Sequence, residues 1–209
     1  NVSARDPRLA SSVLYNGALW KGRTLECFEG GEDQKYMPYG ATKSPGNTVT
    51  GYYMRKLLDE TNRDFVLNGS YQPWPEFRYA ELELIKAECL ARAGKYAEAR
   101  TVINDLRVKR FGRDDVYTAP ISSWDTALDV ILHERMIELC YEGHRFWDLR
   151  RTGRAHTVLD GKKYTGVLWK KAPDGSFTPS SVAADVAAHR YPERCDRFPI
   201  PQSETKNNT

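Results

Sequence analysis

The sequence lacks the features that mark several common classes of protein. Its 209 residues contain no apolar run close to the ~18 residues that a membrane-spanning helix requires. Lysine and arginine number 31 against 28 aspartates and glutamates, and a formal net charge of +3 is too small to indicate nucleic acid or an anionic lipid as partner. The N-terminus has no apolar signal-peptide core, and its abrupt opening on Asp6–Pro7 predicts a fragment of a longer protein.

Cysteine and histidine are scarce, at four residues each. No two cysteines form a C-x-x-C pair, and the zinc-protease motif H-E-x-x-H that begins at His133–Glu134 fails because Ile137 occupies the position of the second histidine. We therefore predict no metal site and no cofactor. Cys27 and Cys195 lie in polar, irregular stretches, and the sequence leaves open whether a disulfide joins them.

Motifs of the common enzyme classes are also missing. The sequence has no phosphate-binding loop, no G-x-G-x-x-G and no G-x-S-x-G. Spacing alone does not exclude the paired carboxylates of a glycosidase. However, Glu134 and Glu138 lie one turn apart on a helix rich in arginine partners, which favours structural acids. We predict that the chain is not an enzyme and keep a glycosidase as the third-ranked alternative.

Three regions of the sequence differ in composition. Residues 1–74 are rich in Gly, Pro, Asn and Tyr, which predicts short strands and loops in the part that faces a ligand. Residues 75–154 are strongly helical in pattern. Residues 155–209 are mixed and form a capping region, in which 174–175 (Asp-Gly) predicts a hairpin turn and 181–189 a short helix. We expect the three regions to form one domain.

The first part of the helical block predicts an antiparallel pair of helices. Pro75 predicts the beginning of the first helix and Gly94 its end. Its apolar residues form two stripes, which predicts a helix packed on two sides. The stripes are Ala80, Leu84, Ala87 and Ala91, and Leu82, Ile85 and Cys89. The following Gly94-x-Tyr96-x-x-Ala99 resembles the turn of a tetratricopeptide repeat.

A second helical pair follows. Ser122 and Asp125 predict a capping box at the beginning of a helix that runs to Gly143, and residues 144–151 predict a further helix closed by Gly153. Two consecutive pairs predict a small solenoid whose ends the other regions cap. The predicted fold class is therefore mainly α, with tetratricopeptide-like helical hairpins, irregular loops and short β-hairpin segments.

Alternating charges in the second pair predict a lattice of ion pairs between its two helices. Acidic and basic residues recur there at spacings of three and four, so they share helix faces. The residues are Glu134, Arg135, Glu138, Glu142, Arg145, Asp148 and Arg151. We interpret this lattice as structural, and an anion-binding site is the functional alternative.

Aromatic side chains in loops are the main functional signal. A sugar ring packs its C–H bonds on an aromatic face while its hydroxyls bond to neighbouring polar groups. The candidate ligand-binding residues are Tyr15, Trp20, Tyr36, Tyr39, Trp74 and Trp169. Trp20 is the strongest candidate, because Lys21 and Gly22 place it in an exposed loop. The neighbouring polar residues that could bond to the hydroxyls are Asn16, Lys21, Arg23, Glu32, Asp33 and Gln34. The alternative is that the rings form a satellite core.

Five segments in order resemble the SusD/RagB family. They are Asp6–Leu9, Gly51–Lys56, Arg78–Glu88 with its Arg-Tyr-Ala-Glu start, Glu134–Arg151 with Glu-Gly-His-Arg and Asp-Leu-Arg-Arg, and Phe198–Glu204 with Phe-Pro-Ile-Pro. Their order and spacing agree over nearly the whole chain. The resemblance implies a helical fold with tetratricopeptide-like units, in which the matching motif residues are structural.

The resemblance also implies a function. Members of that family are outer-membrane lipoproteins on the surface of Bacteroidota-type bacteria. They capture oligosaccharides, or in some cases peptides, for import through a SusC-like TonB-dependent transporter. The chain would then touch the membrane only through a lipid anchor on a missing N-terminal part, and no nucleic acid is expected. The alternative is a helical-repeat adaptor that binds a peptide or protein segment in a concave groove.

Overall fold

The computed structural model describes residues 5–34, 48–61, 69–111 and 117–207. The helices are α1 (Arg8–Ser12), α2 (Tyr79–Arg92), α3 (Tyr96–Phe111), α4 (Trp124–Glu138), α5 (His144–Arg151), α6 (Ala155–Leu159) and α7 (Gln202–Asn207), with a 3-10 turn at Glu193–Asp196. The strands are β1 (Val13–Leu14), β2 (Leu19–Trp20), β3 (Arg23–Thr24), β4 (Tyr53–Met54), β5 (Thr165–Lys171) and β6 (Phe177–Ala183). Across these ranges, no helix combines the length and the apolar character needed to traverse a bilayer.

The turn between α2 and α3 has the form that the sequence predicted. Gly94 adopts a positive φ of 76°, and its N–H donates to the carbonyl of Ala91 at 3.0 Å. The N–H of Lys95 closes the turn on Leu90 at 2.9 Å. This left-handed glycine ends α2 and returns the chain antiparallel, because only glycine adopts that conformation without steric cost.

The main core lies where α2, α3 and α4 meet. Its members are Ala87, Ala91, Ala99, Val102, Ile103, Ala127 and Ile131. Ala87, Ala99 and Ala127 are fully buried and let the three helices approach closely, while Ile103 and Ile131 fill the space between them. The small-residue stripe of α2 therefore packs inward, as the sequence predicted.

The second stripe of α2 is an exception. Leu82 is 50% exposed, Ile85 is 44% exposed and Cys89 is also exposed, so this face has no cover among the described residues. The prediction that α2 packs on two sides was wrong for this chain. The beginning of α2 also differs, because Arg78 is extended and the helix starts at Tyr79 rather than near Pro75.

The second helical pair is offset slightly from its predicted limits. The capping box at α4 is formed by Ser123 and Thr126, one residue later than predicted. The Ser123 hydroxyl accepts from the N–H of Thr126 at 3.2 Å, and the Thr126 hydroxyl accepts in return from the N–H of Ser123 at 3.1 Å. Helix α4 ends at Glu138 rather than at Gly143, and α5 begins and ends as predicted.

The N-terminal region is built from short elements. Strands β1 and β4 pair antiparallel, and so do β2 and β3. Leu14, Ala18, Leu25 and Cys27 form a small buried cluster beneath them. The sequence predicted short strands in this region, though not the individual limits of β2 and β4, and it did not predict α1, whose five residues are too short to show a helical period.

Strands β5 and β6 form a regular hairpin whose turn at 174–175 confirms the sequence prediction. The short helix predicted at 181–189 was wrong, because 181–183 pair with 165–167 as strand and residues 184–189 form bends. Pairing with β5 outweighs the weak local helix propensity of this segment. With the helical pairs and these hairpins, the predicted fold class is confirmed.

Candidate functional site

A cleft of about 510 Å³ opens in the N-terminal region. Its lining residues come from both small sheets and the segments beside them: Leu14, Trp20, Lys21, Arg23, Leu25, Asp33, Tyr53, Met54, Leu58, Asp59 and Ser70. The volume lies within the ~300–1,000 Å³ that small-molecule sites occupy. We call it the Trp20 cleft.

A tight turn sets the position of Trp20. Lys21 and Gly22 link β2 to β3 with positive φ angles of 49° and 84°, the geometry of a two-residue hairpin turn. Trp20 and Arg23 therefore face each other across the strands. A lysine in the left-handed region costs about 1–2 kcal/mol, and such strain concentrates at functional sites.

The floor of the Trp20 cleft is apolar and its rim is polar. Leu14 and Leu25 are each 5% exposed and close the floor. At the rim, Nη1 and Nη2 of Arg23 both donate to the carboxylate of Asp33, the Nη1 bond at 2.7 Å. Asp33 also accepts from the N–H of Glu26 at 2.8 Å, and the Tyr53 hydroxyl donates to the Asp33 carbonyl at 3.0 Å. These bonds fix polar groups beside an apolar surface.

Two cations flank the Trp20 ring. Lys21 Nζ lies 5.6 Å from a Trp20 ring centroid, and Arg55 Cζ lies 5.9 Å away. Arg55 is itself held by Glu60, at 2.8 Å from Nε to Oε1, and by the Ala10 carbonyl at 3.0 Å. Cation–π contacts of this kind hold the ring in one orientation, so Trp20 presents a positioned, half-buried face.

The other predicted aromatic residues lie elsewhere. Tyr15 packs against the small cluster beneath the cleft. Trp74 is 56% exposed and is not part of the lining. Trp169 is half-buried on β5, where its carbonyl accepts from Glu29 at 2.7 Å. Tyr36 and Tyr39 lie outside the described residues.

Sequence reasoning missed part of the lining. Met54 belongs to β4, and Leu58, Asp59 and Ser70 follow it along the chain. The available signal was the Gly51–Lys56 segment, whose two tyrosines and methionine favour a short strand. Its pairing with residue 13 and residue 14 is a long-range contact that local patterns do not specify.

Three buried glutamates form the centre of a charge network beneath the helices. Glu134 is 0%, Glu138 4% and Glu142 7% exposed, and they recur every fourth residue. Their cationic partners come from four other segments of the chain. The ion pairs are Arg8 to Glu134 (2.5 Å) and Glu138 (3.0 Å), Arg107 to Glu134 (2.9 Å), Arg78 to Glu138 (2.8 Å) and Glu142 (2.8 Å), Arg110 to Glu138 (2.7 Å), and Lys56 to Glu142 (2.5 Å).

The network favours the ionised forms of Glu138 and Glu142. Burial raises the pKa of Glu138, but hydrogen bonds from Arg110, Arg78 and Arg8 outweigh it and leave that pKa below its ordinary value. Burial likewise raises the pKa of Glu142, and bonds from Arg78 and Lys56 lower it further than burial raises it. A glycosidase acid needs a raised pKa to donate a proton. These two carboxylates are therefore suited to a structural role.

The remaining predicted charges divide into two groups. Arg135 Nε donates to Asp148 at 2.7 Å and joins α4 to α5, and Arg151 bonds to both Asp148 (2.9 Å) and Glu88 (2.6 Å). Arg145 differs, because the described residues give it no ion pair with a carboxylate. The lattice was predicted between α4 and α5, whereas most partners of its glutamates lie on other elements.

Cysteine and metal chemistry are limited. All four cysteines are free thiols; Cys27 is buried, and Cys195 is exposed. Burial, together with the charge of Asp33, raises the pKa of Cys27 to about 11. Within the described part of the chain, no group of three or more His, Cys, Asp and Glu side chains has a geometry that holds a metal ion.

Comparison with known proteins gives a consistent result. A family model described as the SusD family matches residues 1–209. A curated relative, SusD-like protein P38 of Formosa agariphila, is 38% identical over 101 residues, which is 44% of this chain and 20% of that protein.

Solved structures show the same architecture. A SusD-like protein of Bacteroides fragilis superposes with a TM-score of 0.72 at 24% identity, covering 97% of this chain and 37% of its own. A SusD-like carbohydrate-binding protein of the same organism gives a TM-score of 0.67 at 26% identity, covering 98% of this chain and 41% of its own. The chain thus spans less than half the length of the proteins it matches.

Proposed function

Because the chain belongs to the SusD family, as its motifs indicated, we propose that it captures oligosaccharides without catalysing a reaction. The Trp20 cleft carries the proposal. It combines a positioned aromatic face, an apolar floor and polar groups at the rim, which are the three elements that a sugar requires. The carbohydrate-binding relative from Bacteroides fragilis supports the choice of ligand class.

The binding mechanism is reversible stacking with hydrogen bonds. The sugar ring packs on Trp20, and the Arg23–Asp33 pair offers donors and acceptors to its hydroxyls. Since Arg23 and Asp33 are fixed by each other, little side-chain entropy is lost on binding. No bond to the sugar is broken, in keeping with glutamates whose pKa values are held low.

The cellular context is part of the same proposal. The captured oligosaccharide passes to a SusC-like TonB-dependent transporter in the outer membrane, and the protein stays at the cell surface through a lipid anchor outside the present chain. Family membership supports this arrangement. Co-purification of the full-length protein with a TonB-dependent transporter from outer-membrane extracts tests it, and recovery without any transporter would contradict it.

Calorimetry on the full-length protein tests ligand capture. We expect a panel of neutral and acidic oligosaccharides to include a binder, and Trp20→Ala to weaken that binding at least about tenfold, because one stacked ring contributes roughly 1–3 kcal/mol. Trp147, which is 55% exposed on α5, supplies the matched control, and Trp147→Ala should bind like the wild type. Unchanged affinity in a folded Trp20→Ala protein would overturn the assignment of the cleft.

A peptide-binding adaptor remains the second candidate. It is favoured by one observation, the uncovered apolar stripe of Leu82 and Ile85 on α2, since amphipathic helices dock on such stripes. Fluorescence anisotropy with a labelled leucine-rich helical peptide distinguishes the two candidates. Saturable binding that Ile85→Glu abolishes and Trp20→Ala leaves intact would favour the adaptor.

A further inference from the structure

A second cleft, of about 340 Å³, lies between α4, α5 and α6. It is lined by Asp129, Leu132, His133 and Met136 of α4, by Arg145 and Leu149 of α5, and by Arg154, Thr157 and Val158 at α6. It shares no lining residue with the Trp20 cleft. We call it the Arg145 cleft.

Arg145 is a half-buried cation that forms no ion pair with a carboxylate among the described residues. Its Nη1 donates to the backbone carbonyl of Leu132 at 3.3 Å, and the described residues offer it no carboxylate ion pair. Asp148, one turn further along α5, is already bonded by Arg135 at 2.7 Å and by Arg151 at 2.9 Å. Burial lowers the pKa of Arg145 by more than the nearby charge of Asp148 raises it.

Most arginines that reach α4 and α5, among them Arg8, Arg78 and Arg135, bond to at least one carboxylate. Arg150 shares with Arg145 the lack of a carboxylate partner among the described residues, but it packs on the Phe198 ring at 3.9 Å from the centroid. A buried guanidinium costs free energy unless its N–H groups are paired. Arg145 instead lines a cleft that a ligand can enter.

The other polar groups of the cleft fit an anion. Arg154 is held at the rim by Asp125 at 3.0 Å and by Asp129 at 3.5 Å, and both carboxylates are mostly exposed. His133 and Thr157 are exposed and supply a ring nitrogen and a hydroxyl. Asp125 and Asp129 are therefore already bonded to Arg154, and neither forms an ion pair with Arg145.

The walls of the cleft strengthen an electrostatic contact. Leu132 and Leu149 are 5% and 2% exposed, and Met136 and Val158 add further apolar surface. Because apolar walls exclude water, an ion pair inside the cleft is less screened than one on the open surface. A guanidinium also matches the two oxygens of a planar or tetrahedral oxyanion with parallel hydrogen bonds.

We propose that the Arg145 cleft binds the oxyanion of an acidic sugar, either a uronic carboxylate or a sulfate ester. The proposal rests on the proposed function for the sugar that carries the anion, and it specifies acidic oligosaccharides as the substrate class. The Arg145 guanidinium forms the ion pair, and Thr157 donates a hydrogen bond. No covalent step is involved.

Titration with three monosaccharides tests this site in the full-length protein. The probes are glucuronate, glucose 6-sulfate and neutral glucose, at constant ionic strength, with binding followed by amide NMR shifts and by the ligand-dependent rise in unfolding temperature. We expect one or both acids to shift the amides of His133, Arg145 and Thr157, and glucose to leave them unchanged. The acid that binds identifies the group, and no response to either acid overturns the proposal.

Substitutions at Arg145 distinguish a binding role of this side chain from a structural role. Arg145→Met should lose at least about tenfold in affinity for the acid. Arg145→Lys should keep part of that affinity, because lysine retains the positive charge but lacks the parallel N–H donors of the guanidinium. Arg190→Met, at an exposed arginine elsewhere, should bind as the wild type does. A purely structural Arg145 predicts a lower unfolding temperature for Arg145→Met with the acid-dependent shift retained, and that result would also overturn the proposal.

The two clefts can fail independently. If Trp20→Ala abolishes the capture of neutral oligosaccharides while acidic sugars still shift the amide NMR signals of the Arg145 cleft, both proposals stand. If acids bind at Arg145 and no oligosaccharide depends on Trp20, the anion site survives and the Trp20 cleft does not. If neutral oligosaccharides bind through Trp20 and acids give no shift at Arg145, only the anion site is lost.

Discussion

Nη1 of Arg8 lies 2.5 Å from Oε1 of Glu134 and donates at the same time to Glu138 at 3.0 Å. Arg8 belongs to the short first helix and Glu134 to the centre of α4, so the bond joins the N-terminal region to the helical platform. The other end of the Arg8 guanidinium holds Asp6 at 2.8 Å. Together with Lys56, which bonds to Glu142, Arg8 thus ties the N-terminal region to the helices.

Arg8→Met should destabilise the protein by about 3–5 kcal/mol, because it leaves buried carboxylates short of a partner. Urea unfolding followed by circular dichroism measures the change. Lys95→Ala is the control, since the Lys95–Glu98 pair is more than half exposed and should contribute less than about 1 kcal/mol. Equal effects of the two substitutions would contradict the central role of Arg8.

Acid should weaken the fold through Glu138 and Glu142. Their folded-state pKa values lie below the ordinary value of about 4.3, so the unfolded chain binds more protons as pH falls past that value. The stabilisation is therefore complete above about pH 5 and is lost as pH drops through the folded-state pKa values. Urea midpoints measured from neutral pH downward should fall steeply in that window.

Glu138→Gln provides the comparison for this pH dependence. The variant should be less stable than the wild type at neutral pH. Its urea midpoint should decline less as pH falls, because residue 138 no longer titrates and only Glu142 of the two takes up a proton. A wild-type midpoint that stays constant between about pH 5 and pH 3 would show that the pKa values are not lowered.

Gly51 and Gly166 mark a close approach between residues 48–52 and β5. A Cβ at Gly166 would lie 2.5 Å from Thr50 Cα, and one at Gly51 would lie 2.1 Å from the Val167 carbonyl oxygen. We expect Gly166→Ala to cost about 1–3 kcal/mol from overpacking. Gly51→Ala should cost about 1–2 kcal/mol more, because Gly51 also has a positive φ of 75°.

Gly175 at the tip of the β5–β6 hairpin is the matched control for these glycines. Its φ is 84°, and nothing lies within 4 Å of an added Cβ. Gly175→Ala should therefore cost only the backbone term of about 1–2 kcal/mol. Thermal unfolding of the three variants gives the order, and a Gly175→Ala protein as unstable as Gly51→Ala would rule out the steric explanation.

The four thiols should differ in reactivity. Cys27 is buried with its pKa raised to about 11, so little thiolate forms near neutral pH, whereas Cys89 and Cys195 are exposed. Brief treatment of the native protein with iodoacetamide followed by peptide mass mapping should label Cys89 and Cys195 well before Cys27. Rapid labelling of Cys27 in folded protein, or a Cys27–Cys195 disulfide in the map, would contradict this.

The helical platform was predictable because its signals are local. The apolar period of α2, the left-handed Gly94 and the turn at 174–175 each act over a few residues, and the structure has them where the sequence placed them. Small errors arose where neighbouring residues compete for one role, as when Ser123 rather than Ser122 caps α4.

The site was harder to predict because it depends on distant pairs. Trp20 was identified from its exposed turn, but Leu58 and Asp59 reach the same cleft only because β4 pairs with β1. The regular spacing of glutamates on α4 was visible in the sequence. Arg8, the partner of Glu134, lies in another region, and no local pattern links the two residues. Pairings of this kind follow from the whole fold rather than from any window of sequence.

The Arg8–Glu134 bond also bears on the order of events during synthesis. A ribosome must add 126 residues after Arg8 before its acceptor exists, whereas each helical hairpin can close over a short turn as soon as it emerges. We therefore expect the α2–α3 hairpin to close before the segment that carries Trp20 docks on α4.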